Sequence, residues 1–474
     1  LDIDYRPVLW GLGSAAEGAS RFVAAPEITA VLRDFLPHCD LIVGTEEEIS
    51  IAGGTVDLLA ALRAIRAFSA AIIVLKRGAQ GCTVFATDPI GALDDGIAVA
   101  GLDIEVFNTV GAGDAFLSGF LYGWLHEESW HRCGTLGNAC GALVVARHGC
   151  TPAMPSRVEL DAFLARDVPP RQPAADAELS HLHRATTWSD DPRPLCVLAF
   201  DHRSQFEQVA ARHGRSGDSI GAFKSLIAEV LLDVVAKGNP AVRHGAIVDH
   251  RYGQDALARI GAADIWTGSP IEVPGSRPLA CEPHFGTALH LATWPRRQVV
   301  KCLLFYHPDD PRDLRHEQEE RIRALYADVV RLERRFLLEV ICPDKDHAVT
   351  PHTLARALRR FYNLGVRPDW WKLAAQTEEG WRAVTRVIAD SDPHCKGVVL
   401  LGLGADEATL AESLTIAAAF DICRGFAVGR SIFADAAEQW FAGEISSSAA
   451  KKGISRRYRN MIDTWCKASA AKAL

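Results

Sequence analysis

The chain has 474 residues, about three times the ~150-residue prior for a single domain, so two or more domains are expected. Apolar residues make up 48% and charged residues 23%, a globular balance that excludes a disordered or fibrous protein. With 51 Lys plus Arg against 59 Asp plus Glu, the net charge is −8, which gives no general pull toward nucleic acid or anionic lipid.

No apolar run reaches the ~20 residues needed to span a bilayer. The stretch 115–125 carries Gly119 and Gly123 at the spacing of a membrane helix pair, but it stops at His126-Glu127. A packed helix of a soluble protein is expected there. The opening residues, LDIDYRPVLW, are charged within two positions and do not read as a secretory leader. They lack an initiator Met and read as a strand end, so an N-terminal portion is expected outside this sequence. Twelve cysteines are scattered with no C-x-x-C, as expected of reduced thiols in a cytoplasmic protein. Seventeen histidines show no H-E-x-x-H and no pairing with Cys; no structural zinc is expected.

In chain order, LIVGT (41–45) and AIIVLKRG (71–78) read as buried parallel strands and 115–125 as a helix. This alternation predicts an α/β sheet covered by helices. Residues 167–194 hold five prolines and no sustained apolar strand, which reads as a linker with a short helix around 179–184. The expected domains are therefore 1–168 and 195–474, joined by a linker over 169–194. The second part repeats strand then helix. Its candidate strands are 195–201, 244–250, 263–270, 299–306, 336–342, 369–374, 397–404 and 425–431. Eight β/α units in about 280 residues match a (β/α)8 TIM barrel. An open doubly wound sheet is the alternative.

The helix at 115–125 is preceded by Asn108-Thr-Val-Gly-Ala-Gly-Asp114. Gly111, Ala112 and Gly113 leave room for backbone N–H groups to face an anion, and the helix dipole favours negative charge there. Asp114 beside such an anion hole is suited to accept the proton of a hydroxyl attacking a γ-phosphoryl group. A plain helix start with a first-turn Asp fits the same residues. The stretch NTVGAGDAFLSGF resembles the D-T-x-G-A-G-D signature of ribokinase-like (PfkB) carbohydrate kinases. GTEEE (44–48) resembles their N-x-x-E motif and KRGAQG (76–81) their strand-turn beside the nucleotide. LDIDYRPVLW, through Asp2, Arg6 and Trp10, resembles their D-x-N-x-R-x-x-L-W segment.

This likeness is to the 5-dehydro-2-deoxygluconokinase branch, and it covers the C-terminal half of the kinase fold. It implies ATP and Mg2+ as cofactors, Gly111, Ala112 and Gly113 as the anion hole, and Asp114 as the base. It also implies Glu48 as the organiser of Mg2+ and phosphate, with Lys76 beside the nucleotide. Asn108 stands where the family has its first Asp, and Thr45 where it has Asn.

In the second part, Lys301, Glu339 and Lys372 each fall inside an apolar run on neighbouring candidate strands. Lys and Glu are rarely left fully buried without a partner, so the three are expected to meet in the barrel mouth. Asp201 ends the first strand and Asp249 the second. A buried ion-pair network is one reading and an amine nucleophile the other. A lysine in an apolar site near a second cation has its ammonium form disfavoured, and free amine attacks a ketone to form a Schiff base. A nearby carboxylate then moves the hydroxyl proton. Gly402, Gly404 and Gly429-Arg430 fall where barrels hold a substrate phosphate, and Asp249 is grouped with them.

FDHR (200–203), DHRYG (249–253), VKCLLFY (300–306), LLEV (337–340), WKLA (371–374) and VGRSIF (428–433) together resemble tagatose 1,6-bisphosphate aldolase and related class I aldolases. They resemble still more the barrel fused to inositol-catabolism kinases in some bacteria. The likeness implies Lys372 as the Schiff-base lysine, Lys301 as its cationic neighbour and Glu339 as the acid/base. Asp201 becomes a substrate orienter and Arg430 a phosphate ligand, with no metal in the barrel. Trp370-Trp371 are expected to dry the amine's surroundings, Glu272 to be a loop carboxylate, and the basic run 451–460 to be a solvated helix face.

The expected protein is a bifunctional inositol-catabolism enzyme. Its kinase would act on 5-dehydro-2-deoxygluconate, and its aldolase would split the 6-phosphate into glycerone phosphate and malonate semialdehyde. The partners are small sugar acids, their phosphates and ATP, with no nucleic acid or membrane; homo-oligomerisation is left open. Two alternatives stand: a kinase with a sugar-phosphate-sensing or scaffolding barrel, and an aldolase for another ketose phosphate.

Overall fold

A computed structural model describes residues 1–11, 26–187, 191–263, 265–282 and 287–472. The chain divides into two compact units, Leu1–Thr187 and Trp188–Leu474.

The first unit is built on four strands, β1 (Leu41–Thr45), β2 (Ile72–Lys76), β3 (Gly81–Phe85) and β4 (Ile97–Ala100), in that spatial order. β1 and β2 are parallel, and β3 and β4 continue antiparallel. The opening residues lie along β1, with Asp2 bridged to Val43 in parallel sense. Alternating side chains divide between two cores, as a sheet covered on both faces requires. Ile42, Ile73 and Leu75 pack with Ile49, Leu62 and Ile65 of the helices Glu46–Gly53 and Leu58–Phe68. Val43, Val74 and Val84 pack with Phe116 and Phe120 of the helix Ala112–Leu125.

The glycine spacing in that helix serves close helix packing. A Cβ on Gly119 would lie 2.5 Å from the Leu136 carbonyl of the helix Trp130–Val145, and one on Gly123 3.0 Å from Cys133 Sγ. Among the described residues no helix is long and apolar enough to cross a membrane.

The segment read as a linker is largely folded. Residues Ala177–Thr186 form a helix capped by Asp176, and it buries Leu179 and Leu182. Leu179 joins Phe163 and Leu143 in a core of the first unit. Residues 188–190 of that segment lie outside the described residues.

The second unit is a closed parallel barrel of eight strands: β5 (Leu195–Ala199), β6 (Arg243–Ile247), β7 (Trp266–Pro270), β8 (Val299–Phe305), β9 (Phe336–Ile341), β10 (Trp370–Ala374), β11 (Gly397–Leu401) and β12 (Cys423–Val428). Each predicted run overlaps one strand, with β6 starting one residue and β12 two residues earlier than expected, and β12 pairs with β5 to close the ring, which excludes the open sheet. Alternation sorts the side chains. Leu195, Val197, Ile247, Trp266, Val299, Leu337, Trp370, Val399 and Ala427 fill the interior. Trp266 and Trp370 meet edge to face with ring centroids 6.4 Å apart. Trp370 thus forms the dry floor, whereas Trp371 points outward and donates from its indole N–H to the Tyr362 hydroxyl at 2.8 Å. Of the tryptophan pair, only the first lies beneath the amines.

Candidate active sites

One pleat above the tryptophan floor, the interior becomes ionic. Lys301 on β8, Glu339 on β9 and Lys372 on β10 point inward because each is two residues beyond an interior apolar position, Val299, Leu337 and Trp370. All three are at most 4% exposed. Glu339 Oε2 lies 3.0 Å from Lys301 Nζ and 3.1 Å from Lys372 Nζ. Lys301 also lies 3.2 Å from Asp201 and 3.0 Å from Glu272.

The amine at 372 is therefore not set against a bare cation as the sequence suggested. A shared carboxylate stands between the two nitrogens. Burial works against the Lys301 ammonium, but Asp201, Glu272 and Glu339 outweigh it and hold its pKa well above the usual lysine value. For Asp201 and Glu339, burial is overcome by Lys301 and Lys372, and both carboxyls sit below their ordinary range.

Glu272 is the residue that sequence reasoning set aside. It directly follows Ile271 at the end of β7, so it is carried to the mouth with the strand. Its Oε1 accepts from Lys301 and lies 3.3 Å from Arg203, while its Oε2 accepts from the Leu303 amide at 3.1 Å. Burial pushes its carboxyl up despite Lys301 and Arg203. Arg203 is buried as well and bonds Glu282 with its other amino group. The remaining signal in the sequence was only that a Glu stood next to a strand end.

These groups line a cavity of about 340 Å³ that also takes in Gly402, Leu403, Gly404, Gly429 and Arg430. Arg430 opens the helix Arg430–Ala442 and has no carboxylate partner among the described residues. Its guanidinium packs over Gly404, where an added Cβ would lie 3.5 Å from Cζ. Gly404 has φ +79°, a left-handed conformation that a side chain would strain. His202 lines the same end of the cavity. Burial, reinforced by Lys372, Arg430 and Lys224, outweighs Asp201 and pushes its pKa down to about 4, and its Nδ1 has no hydrogen-bond partner among the described residues. The imidazole is thus neutral at physiological pH.

Asp249 does not reach this cavity. β6 ends at Ile247, so strand alternation no longer fixes where residue 249 points. Its carboxylate is instead buried against Lys224 of the helix Gly217–Ala236 and accepts from the Tyr252 amide. Lys224 also donates to the His202 carbonyl at 3.0 Å, tying the loop after β6 to the loop after β5.

In the first unit, Glu48, Lys76 and the start of the helix Ala112–Leu125 come together. Lys76, at the end of β2, has its Nζ 3.0 Å from Asp2 and 3.8 Å from Glu48. A Cβ on Gly113 would lie 3.5 Å from the same Nζ. Glu48 is 6% exposed and accepts from the Thr45 amide at 2.7 Å while Thr45 caps the helix in return, a reciprocal capping box. Thr45 is thereby the helix cap.

Gly111 takes φ +81°, and a Cβ there would lie 2.4 Å from Cys150 Sγ. Ala112 follows as the first residue of the helix, whose first amides lack intrahelical acceptors. Asp114 is exposed in that first turn. Asn108 accepts from the Val110 amide and donates to the Arg147 carbonyl, which fixes the turn leading into the helix. Among the described residues no group of three or more His, Cys, Asp or Glu gathers to hold a metal ion by itself.

The two units define the class: a PfkB-type α/β unit, and a (β/α)8 barrel with a lysine–carboxylate cluster in its mouth. Residues 15–157 match the pfkB family carbohydrate kinases. The chain belongs to the family described as uncharacterized proteins conserved in bacteria, DUF2090, which it matches over residues 159–469.

Over 168 residues it is 32% identical to the 5-dehydro-2-deoxygluconokinases of Bacillus thuringiensis (strain Al Hakam) and Bacillus anthracis, covering 34% of this chain and 46% of each relative. The chain thus spans about half the length of these curated relatives. Among solved structures, it is similar to a fructokinase from Vibrio cholerae O395 bound to fructose, ADP and calcium, at 29% identity over 29% of this chain and 45% of that one, with a TM-score of 0.26. It is also similar to an Arabidopsis thaliana ribokinase bound to ribose and ATP, at 22% identity over 28% and 44% of the two chains, with a TM-score of 0.26.

Proposed function

We propose that the protein phosphorylates a keto sugar acid with its PfkB-type part and cleaves the phosphorylated product in its barrel. The substrate class follows the 5-dehydro-2-deoxygluconokinase relatives. ATP donates the phosphoryl group to O6, Gly111, Ala112 and Gly113 face the γ-phosphate, and Asp114 accepts the O6 proton. Mg2+ would be held mainly by the nucleotide phosphates, with Glu48 as its nearest buried carboxylate, consistent with how this ion is usually bound.

In the barrel, Lys372 gives a proton to Glu339 and its free Nζ adds to the C5 ketone; Glu339 returns the proton to the departing hydroxyl, and loss of water leaves a protonated imine. The C3 hydroxyl then gives its proton to Glu339, or to Asp201 through Lys301. The electrons of the C3–C4 bond flow into the imine, and malonate semialdehyde leaves. The enamine takes a proton at C4, and hydrolysis releases glycerone phosphate and restores Lys372. Arg430, Gly402, Gly404 and Gly429 bind the C6 phosphate.

The observation that carries this reading is the single oxygen of Glu339 within 3.1 Å of both buried amines, in a cavity whose free cation is Arg430. Its test is release of glycerone phosphate from 5-dehydro-2-deoxygluconate 6-phosphate, compared with tagatose 1,6-bisphosphate. Cleavage of the deoxy substrate supports it. Binding without cleavage assigns the barrel to sensing, and preference for the bisphosphate assigns it to another ketose.

For the kinase part, Asp114→Asn in the full protein is expected to lower ATP-dependent phosphorylation by roughly 10²–10⁴-fold, the usual worth of a positioned base, and to leave nucleotide affinity within about twofold. The amide keeps the shape and loses the proton acceptor. Coupled-assay turnover and nucleotide titration read the two effects separately, and unchanged turnover would place the base elsewhere.

A further inference from the structure

β5 and β12 are neighbours in the ring, so the loop after β5 lies beside the Gly429-Arg430 end of the cavity. That loop carries Asp201-His202, and His202 forms part of the cavity wall. Its ring lies against the backbone of Gly429, where an added Cβ would be 2.8 Å from Cε1. Phe433, on the helix that Arg430 opens, meets the same ring edge to face with centroids 5.6 Å apart. Lys224 holds the His202 carbonyl at 3.0 Å. The imidazole is thus fixed in place beside Arg430, while the amine chemistry leaves it unused.

Four charged groups bear on this ring. Asp201 favours its cationic form, and Lys372, Arg430 and Lys224 oppose it. Together with burial the three cations prevail, so the ring is neutral in the free protein.

We infer that a phosphate dianion seated at Arg430 draws a proton from solvent onto His202, so that two cations flank the bound anion. The inference rests on the placing of the C6 phosphate at Arg430 and is independent of the imine. A single opposite charge at contact range shifts a pKa by about 1–3, and the phosphate brings two among groups that otherwise repel the imidazolium. A ring that is protonated more in the complex than in the free protein makes binding tighter as pH falls. In the free protein His202 therefore adds no charge beside Lys372. In the complex its charge arrives with the anion that offsets it.

The probe is sn-glycerol 3-phosphate, which carries the phosphate and has no ketone to form an imine. Calorimetric titration of the full chain at about pH 6.5, in two buffers of different ionisation enthalpy, counts the protons taken up. His202→Gln keeps an N–H donor and cannot charge, and His202→Asn is a second variant with the same two properties. The native chain is expected to take up about 0.3–1 proton more than either variant. Ionisation of the ester itself, and binding at any other site, are common to all three proteins and drop out of the difference.

At this pH the variants should bind about tenfold more weakly, the difference between a charged and a neutral donor. By about pH 8 the gap should close to within about twofold. Equal proton counts, or a gap that does not change with pH, overturn the inference and leave the phosphate at Arg430. An Arg430→Gln protein that binds the probe as tightly as the native chain removes the phosphate from this end, and the inference with it.

Discussion

Lys372→Met is expected to eliminate the borohydride-trapped adduct and to lower barrel cleavage by about 10⁴-fold or more, the scale on which removing a covalent nucleophile acts. Met has nearly the length and volume of the lysine stem, so the side chain still packs above Trp370, and volume-conserving changes of this type cost little. The electrostatic cost is also limited. Glu339 loses one cation at 3.1 Å but keeps Lys301 at 3.0 Å, so no buried carboxylate is left alone.

Glu339→Gln separates the two chemical roles. It removes the proton carrier and leaves the amine, so the trapped adduct should still form, though more slowly because Glu339 also takes the lysine proton, while cleavage falls by roughly 10²–10⁴-fold. Mass spectrometry of the reduced protein, with and without glycerone phosphate, reads the adduct, and release of the semialdehyde reads the cleavage. A Lys372→Met protein that still traps substrate would move the imine to Lys301 or outside the barrel.

The barrel was legible in the sequence because its eight apolar runs are largely buried and separated by amphipathic helices. The charged residues were legible for the converse reason: Lys301, Glu339 and Lys372 interrupt those runs, and a charge inside a buried strand is uncommon without a partner. Legibility stops where strand alternation stops. Asp201 lies two residues past Ala199 and still faces inward, whereas Asp249 lies two residues past Ile247 and turns to Lys224. Lys224 itself carried no signal, since a lone lysine on an apolar helix ordinarily extends its amine to water.

Glu272 was discounted because the prolines around it marked a loop. Yet an isolated bridge from Glu272 to Cys281 extends β-type pairing past β7 and holds the carboxylate beside Lys301. The proline-rich segment misled in the other direction. Its composition is that of a linker, and the short helix expected around 179–184 is there, but that helix is capped by Asp176 and buries Leu179 and Leu182, so the segment packs as part of the first unit. In the first unit, the tight turn at Gly111, with φ +81°, was readable from its glycines. The capping role of Thr45 was not read from the sequence, although its T-x-x-E spacing to Glu48 is itself a capping signature.

Lys301→Met is the change expected to cost the fold most, about 3–5 kcal/mol, the usual consequence of removing one member of a buried ionic cluster. Lys301 is 3% exposed and lies within 3.2 Å of three carboxylates, Asp201, Glu272 and Glu339. Without it, Lys372 and Arg203 remain to balance three buried anions, and like charges at such range prevent all of them from staying ionised.

The sign of the pH dependence follows from the direction of each shift. In the native protein the depressed carboxyls of Asp201 and Glu339 contribute stability above their unfolded value of about 4, which is lost only as pH falls through their lower folded values. Lys301, raised in the fold, contributes fully below the unfolded lysine value of about 10.4 and loses it only as pH rises through its folded value. Neither window falls at neutral pH, so these three groups add little slope there.

In the variant at least one carboxyl has its folded pKa raised above the unfolded value. The folded state then binds the extra proton between those two values, and stability rises as pH is lowered through the window. Calorimetric unfolding between about pH 8 and pH 5 should therefore show the barrel transition of Lys301→Met gaining on that of the native chain as the solution is acidified; the slope from His202, held neutral in the fold, is common to both proteins and drops out of the difference. A variant with native stability and no such slope would mean that the three carboxylates do not depend on this amine for their charge.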